Sequence, residues 1–289
     1  MPELPEVETV RRGLEPVLKG RRIERVETRR VGLRFAFPPD FSQRMAGARF
    51  EHVSRRAKYL VAGLDNGQSL LAHLGMTGRF TVLSAAGSSN LGQFYFETGA
   101  SDKADGPHDH VIFHLDGDLR VVYSDPRRFG MMDVVQSARL HEHRLLKDLG
   151  VEPLGNELSA TYLAARFRGK VAPLKSALLD QGIIAGLGNI YVCEALFRAG
   201  LSPERKAGTA KAEKLGALVQ HIRDILNEAI LAGGSTLQDF KSANGVEGAF
   251  QQRFQVYDRE DEPCSTCGKP IKRMVQAGRS SFYCSHCQK

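Results

Sequence analysis

Four cysteines fall in two tight pairs, Cys264-x-x-Cys267 and Cys284-x-x-Cys287, with sixteen residues between the pairs. Each pair places two thiolates on one side of an ion, and two pairs complete the tetrahedral sulfur shell that zinc prefers. A closed four-sulfur shell leaves no position for substrate. A single structural Zn2+ is therefore expected, folding a module too small to hold itself together. The one other cysteine, Cys193, reads as a buried apolar side chain. At the opposite end the chain opens Met1-Pro2-Glu3-Leu4-Pro5-Glu6. Removal of the initiator methionine ahead of so small a residue would leave a secondary amine on Pro2. An unprotonated α-amine is a nucleophile with a reference pKa of about 7.7–8.0. Proline's amine is more basic, so the site must help it shed its proton. Glu3 and Glu6 are the nearest carboxylates in sequence that could relay it. The motif alone is ambiguous, because a proline in the first turn also simply starts a helix.

The 289 residues suffice for two domains and a small appendix. A net charge of +7 suits a polyanionic partner, nucleic acid or an anionic membrane surface. The basic residues cluster, at Arg11-Arg12, Arg21-Arg22, Arg29-Arg30, Arg55-Arg56-x-Lys58, Arg127-Arg128 and Lys272-Arg273. No run is apolar for long enough to span a bilayer.

The elements that must position these groups divide by periodicity. Val7, Val10, Leu14 and Val17 recur at helical spacing over residues 5–19, with Pro5 in the first turn and Pro16 expected to kink or end the helix. Strand-like runs 58–64 and 69–74 flank the turn Asp65-Asn66-Gly67, and runs 111–115 and 119–123 flank Asp116-Gly117-Asp118. Short strands joined by such turns predict a sandwich or barrel-like β domain. Between them, Ser84 to Pro107 is rich in Gly, Ser, Ala and Asp around Phe94-Tyr95-Phe96, and reads as a long surface loop. The second half is helical. Ser137 is expected to cap a helix ending near Gly150, and Ser159 another ending near Gly169. Short helices are expected over 175–181 and 189–199, joined by a link with three glycines, Gly182 to Gly188. A long amphipathic helix over 211–232 carries Leu215, Leu218, Ile222, Ile225, Leu226 and Ala229 on one face.

Read together, seven separated segments resemble the bacterial formamidopyrimidine-DNA glycosylase family over nearly the full length. They are residues 2–14, Arg55 to Leu60, His73 to Gly78, His108 to Val111, Asp125 to Gly130, Gly186 to Tyr191 and Tyr283 to Gln288. The resemblance implies an α+β fold: a catalytic β-sandwich with an N-terminal helix (1–134), a helical domain with a helix–two-turn–helix element (135–254) and a zinc-finger hairpin (255–289). It implies excision of 8-oxoguanine and ring-opened purines from double-stranded DNA, with abasic-site lyase activity, by a monomer in the bacterial cytoplasm that has no membrane role. The long segment at 84–107 is a departure from the family pattern.

By the same resemblance, Pro2 is the amine that attacks C1′ of the damaged nucleoside and forms a Schiff base, and Glu3 is the acid that manages protons during sugar-ring opening. Lys58 matches a proton donor in strand cleavage. Arg279 matches an arginine credited with the second elimination. Its pKa above about 12 makes it a phosphate clamp rather than a literal proton donor. His108, Arg127, Lys170 and Asn189 match DNA contacts. Met76, Arg127 and Phe129 match the trio that fills the gap left when the lesion is swung out; apolar groups can replace stacking and a guanidinium can bond the orphan base. Cys264, Cys267, Cys284 and Cys287 are the zinc ligands. The segment Ser242 to Phe250 occupies the place of a loop that closes on the extruded base. Two rivals remain: an endonuclease VIII-like glycosylase for oxidised pyrimidines, disfavoured by Leu4 and the Met76/Arg127/Phe129 set, and a non-catalytic zinc-ribbon DNA-binding protein.

Overall fold

A computed structural model describes residues 2–83, 106–235 and 250–289. The anticipated loop from Ser84 to Pro107 lies outside the described residues up to 105, and so does the segment Ser242 to Phe250 apart from Phe250 itself. The chain forms two compact units, Met1–Lys147 with Ala232–Ala249, and Asp148–Leu231 with Phe250–Lys289.

In the first unit, helix α1 spans Leu4–Leu18 and buries Val7, Val10, Leu14 and Val17, the stripe expected from the spacing. Pro16 falls in its last turn, and the helix stops two residues later. Among the described residues, eight strands follow in two antiparallel sheets. One has the order β1 (Ile23–Thr28), β6 (Asp109–Leu115), β7 (Leu119–Ser124), β5 (Arg79–Leu83). The other has the order β2 (Phe50–Arg56), β3 (Tyr59–Leu64), β4 (Gln68–His73), β8 (Met131–Gln136). Both anticipated turns form, with left-handed backbone at Gly67 (φ 75°) and at Gly117 and Asp118 (φ 74° and 55°). Alternate residues fill one core: Val111, Phe113 and Leu115 on β6, Val121 and Tyr123 on β7, Leu60, Ala62 and Leu64 on β3, Leu70 and Ala72 on β4. This is the period-2 signature of a β-sandwich. Arginines join α1 to β2. Arg11 Nη1 donates to Val53 O (3.2 Å), and Arg55 Nε donates to Glu8 Oε2 (3.3 Å). Ser137 departs from expectation. It begins a short 3₁₀ turn, Ser137–Glu142, rather than a helix reaching Gly150. Its hydroxyl is engaged by Ser69 Oγ on β4 (2.8 Å), so it is not available as a cap.

In the second unit, Ser159 caps α2 (Ala160–Phe167) by accepting from Tyr162 N (3.1 Å). Helices α3 (Leu174–Leu179) and α4 (Asn189–Arg198) flank the glycine-rich link, which the Gln181 amide staples. Its Nε2 donates to Leu179 O and Leu187 O, and its Oε1 accepts from Gly186 N, all at 2.9–3.0 Å. All six apolar residues expected on α5 (Ala212–Leu231) are buried. A final hairpin, β9 (Lys272–Gln276) and β10 (Arg279–Tyr283), turns through Ala277-Gly278, both with positive φ as a type I′ turn requires. Among the described residues, no helix is long and apolar enough to cross a membrane.

The module carrying the cysteines packs on Cys193 and Phe197 of α4 and is also tied to that helix by the buried side chain of Glu194. The Glu194 carboxylate accepts from the backbone N–H groups of Gln255, Val256 and Tyr257 at 2.8–3.1 Å. Burial pushes this carboxyl above the usual range, and the three N–H groups and Arg198 only partly offset it. Replacing Glu194 with alanine strands three backbone donors, that of Val256 buried and the other two partly so, at a cost of about 3 kcal/mol. Glu194→Ala should therefore lower the thermal midpoint and release zinc at lower chelator concentration; a variant with unchanged zinc retention would contradict the anchoring role.

Candidate functional site

Pro2 is buried immediately ahead of α1. Glu3 is the N-cap residue, itself buried, in a reciprocal capping box with Glu6. Glu3 N donates to Glu6 Oε2 (2.9 Å), while Glu6 Oε1 accepts from both the backbone N (2.8 Å) and the hydroxyl (3.0 Å) of Ser235. Both Glu6 oxygens are thus committed to structure. A Cβ at Gly234, itself left-handed at φ 89°, would meet the Glu6 carboxyl at 3.1 Å. Only glycine suits that position, so the backbone after α5 runs directly against the carboxylate.

Lys58 occupies a two-residue turn between β2 and β3; the strand anticipated to begin at Lys58 begins one residue later, at Tyr59. The turn is closed by Ala57 at φ 54° and by Arg55 Nη1 donating to Ala57 O (2.7 Å). Lys58 is only 6% exposed. Its charge reaches His73, which the antiparallel register sets opposite Tyr59. Burial first, then the charges of Lys58 and Arg34, push the His73 imidazole down to about 4. Its Nδ1 accepts from Gly75 N (2.9 Å), so the neutral ring keeps its proton on Nε2 and can offer it to an acceptor. From sequence, His73 stands out only as part of a motif. The available signal was a histidine closing an apolar strand beside Gly75.

Met76 lies between β4 and β5, and Arg127 and Phe129 between β7 and β8; all three are brought together. Gly75 (φ 65°) lies so near the second loop that a Cβ there would sit 2.4 Å from Phe129 C and Gly130 N. Arg127 N donates to Thr77 Oγ1 (3.2 Å), and the Arg127 guanidinium stacks 4.8 Å from the Phe129 ring centre. Phe129 is 45% exposed, and Arg127 is exposed beside it. His108 is exposed, with its carbonyl accepting from Asp125 N (2.9 Å).

In the second unit, exposed Lys170 follows the left-handed Gly169 at the end of α2. Asn189 opens α4, but its amide donates to Ser280 O in the hairpin (3.0 Å). Lys175 was not singled out from sequence. It is fully buried and donates to the same carbonyl (2.8 Å) and to Ser281 Oγ (2.6 Å). Two donors from the helices thus fix the residue next to Arg279, which is exposed at the hairpin tip. The four cysteine sulfurs all lie within 4.8 Å of one another, with Cys267–Cys284 at 3.5 Å and Cys264–Cys287 at 3.9 Å. Those separations fit a tetrahedral zinc with Zn–S of about 2.3 Å and are far too long for disulfides, at about 2.05 Å. The residues fit the ion.

A histidine held neutral down to about pH 4 carries a consequence for stability. The unfolded chain binds the proton at about 6.5 and the folded chain does not, so folding stability should fall as pH drops from about 6.5 towards 4. His73→Gln should flatten that fall, as read from urea midpoints at pH 7.5 and 4.5. An identical slope in the variant would show that the ring is not held neutral.

Comparison with known proteins bears on the whole chain. Residues 1–132 match the formamidopyrimidine-DNA glycosylase N-terminal domain, 149–241 the H2TH domain of the same family, and 261–289 the zinc finger found in FPG and IleRS. The formamidopyrimidine-DNA glycosylases of Ruegeria pomeroyi and Rhizobium etli are each 54% identical, over 100% of this chain and of the relative. The MutM (Fpg) protein of Thermus thermophilus superposes with a TM-score of 0.83 at 38% identity, covering 99% of this chain and 98% of that one. Lactococcus lactis Fpg, solved with DNA containing N7-benzyl-Fapy-dG, superposes with a TM-score of 0.85 at 31% identity, covering 100% of both chains. With the β-sandwich, the helical elements and the four-cysteine hairpin all in the same order, the chain belongs to the formamidopyrimidine-DNA glycosylase family.

Proposed function

We propose that this chain is a base-excision-repair DNA glycosylase with abasic-site lyase activity. It removes oxidised purines, 8-oxoguanine and formamidopyrimidines, from double-stranded DNA, working as a monomer in the cytoplasm. The observation that carries the chemistry is the pair Pro2–Glu3, both out of solvent at the N-terminus of α1. The positive end of the helix disfavours a cation there, which helps the basic secondary amine exist in its nucleophilic form.

Once Met1 is removed, the Pro2 nitrogen attacks C1′ and the bond from C1′ to the base breaks, with the base leaving protonated. Glu3 passes a proton to the ring oxygen as the C1′–O bond breaks and the sugar opens, giving a cationic iminium (the Schiff base) between Pro2 and C1′. Loss of the C2′ proton then expels the 3′ phosphate, and a second elimination expels the 5′ phosphate. Lys58, almost wholly buried in its turn, supplies a proton on the phosphate side. The neutral His73 offers Nε2–H to a phosphate oxygen. Arg279 clamps phosphate from the hairpin. His108, Lys170 and Asn189 contact the backbone, and Met76, Arg127 and Phe129 fill the gap left by the extruded nucleotide. Zinc holds the hairpin and takes no chemical step.

Borohydride tests the imine directly, since reduction freezes it as a covalent protein–DNA adduct. Pro2→Gly should bind an 8-oxoguanine duplex normally yet lose base excision by about a hundredfold or more, with little trapped adduct. Full excision by that variant would sink the nucleophile assignment. A preference for thymine glycol over 8-oxoguanine opposite cytosine would move the chain to the pyrimidine-specific sister enzymes. Lys58→Ala should harm strand cleavage, and base release to a smaller degree, more than binding to an abasic duplex. Equal loss of all three would mark a folding defect.

A further inference from the structure

Met76 sits on one loop, and Arg127 and Phe129 on another, 51 and 53 residues further along the chain. To fill one gap in a duplex, both loops must enter it at a fixed mutual spacing. Asp125 lies under them and is 0% exposed. Its Oδ1 accepts from Thr77 Oγ1 (2.5 Å), and its Oδ2 from Gly130 N (2.8 Å) and the Tyr123 hydroxyl (3.4 Å). The Thr77 hydroxyl also accepts from Arg127 N (3.2 Å). One oxygen therefore takes a hydrogen bond from the arginine-bearing loop and passes one to the buried carboxylate, from the residue next to Met76. The Asp125 carbonyl meanwhile accepts from Arg128 N (3.2 Å) and lies 2.9 Å from His110 Nε2.

The glycines make this arrangement close-packed. A Cβ on Gly130 would fall 1.9 Å from the Tyr123 oxygen and 3.0 Å from Asp125 Oδ2, and one on Gly78 would fall 2.2 Å from the same phenol oxygen. Neither loop can move without breaking a hydrogen bond to a charge that has no water to replace it. An aspartate that only stabilised its own turn would bond within residues 125–130. Here one of its two oxygens is given to a residue 48 positions earlier.

We propose that Thr77 and Asp125 are positioning residues that clasp the two loops into a single wedge, so that Met76, Arg127 and Phe129 enter the duplex together. The inference rests on the gap-filling reading of those three side chains. Preset spacing removes the ordering cost that two independent loops would meet during insertion. Contacts to DNA and to the reacting sugar remain with other residues, so the clasp acts on duplex opening and leaves the amine chemistry alone.

The test uses the full zinc-loaded chain carrying Thr77→Val, which keeps the shape and loses the hydroxyl, and Thr77→Ser, which restores it. Thr77→Val should lower kcat/KM for an 8-oxoguanine duplex about tenfold. It should also weaken the fluorescence rise of a 2-aminopurine placed beside the orphan cytosine. Borohydride trapping on a single-stranded abasic oligonucleotide, which has no gap to fill, should stay within about twofold. Thr77→Ser should recover duplex activity. Wild-type duplex kinetics in Thr77→Val would overturn the clasp, as would equal loss on both substrates with a lowered thermal midpoint. Met76→Ala, run in parallel, separates the two levels: undiminished duplex excision by it would remove the gap-filling reading beneath the inference, whereas impaired Met76→Ala beside a normal Thr77→Val would reject the clasp alone.

Discussion

A charge withdrawn from water costs several kcal/mol unless other polar groups receive it, and this chain repeatedly uses that cost to join distant segments. Glu6 receives Ser235 from 229 residues away, Asp125 receives Thr77 from 48, Lys175 reaches Ser280 across 105, and Glu194 holds Val256 across 62. Three of these four ties end on backbone groups, and the fourth passes through a hydroxyl to a backbone N–H. Main-chain partners suit the purpose, because their positions are set by secondary structure rather than by a rotamer. A surface ion pair between flexible side chains would contribute little by comparison.

The places so joined are those on which the proposed chemistry depends. Glu6 fixes the backbone of Glu3 at the start of α1, Asp125 fixes the two loops that display Met76, Arg127 and Phe129, and Lys175 fixes the hairpin residue beside Arg279. The side chains assigned to contact DNA are themselves largely exposed, so neighbouring packing does little to set their geometry; the buried carboxylates and the buried ammonium beneath them do. Zinc serves the same end in the smallest segment, where a hairpin of two five-residue strands could not keep its shape alone.

Much of the frame was legible from sequence because it rests on local rules. Apolar runs flanking Asp65-Asn66-Gly67 and Asp116-Gly117-Asp118 marked four of the eight strands described in the sandwich, Gly67 and Gly117 the turns between them, Ser159 a cap and the stripe on α5 its buried face. The four cysteines were legible because their spacing allows few other outcomes. The buried ties were not. Lys175 and Glu194 are charged residues inside short apolar helices, and a charge in such a helix reads equally as its solvated face. Only phase distinguishes them: Lys175 falls between Leu174 and Leu178, and Glu194 between Cys193 and Ala195, on surfaces that turn out to be covered on every side. Ser137 misled for the same reason in reverse. A hydroxyl before a helical pattern signals a cap, but nothing local reveals a competing serine on β4.

At the N-terminus, spacing alone leaves two carboxylates open. Glu3 and Glu6 are both near enough to Pro2 in sequence to handle its proton. In the folded chain they are not equivalent. Glu6 has one oxygen on Glu3 N and the other on two donors of Ser235, so three of its roughly four acceptor sites are already taken. Glu3 is adjacent to the amine along the chain, and its backbone is the part that Glu6 restrains. Glu3 answers within the same capping box, its side chain accepting from the Glu6 backbone N–H, so the two carboxylates brace the turn together. In the proposed reaction Glu3, next to the amine along the chain, handles the proton, while Glu6 ties the backbone of Glu3 to Ser235, 229 residues from Glu6 in the sequence.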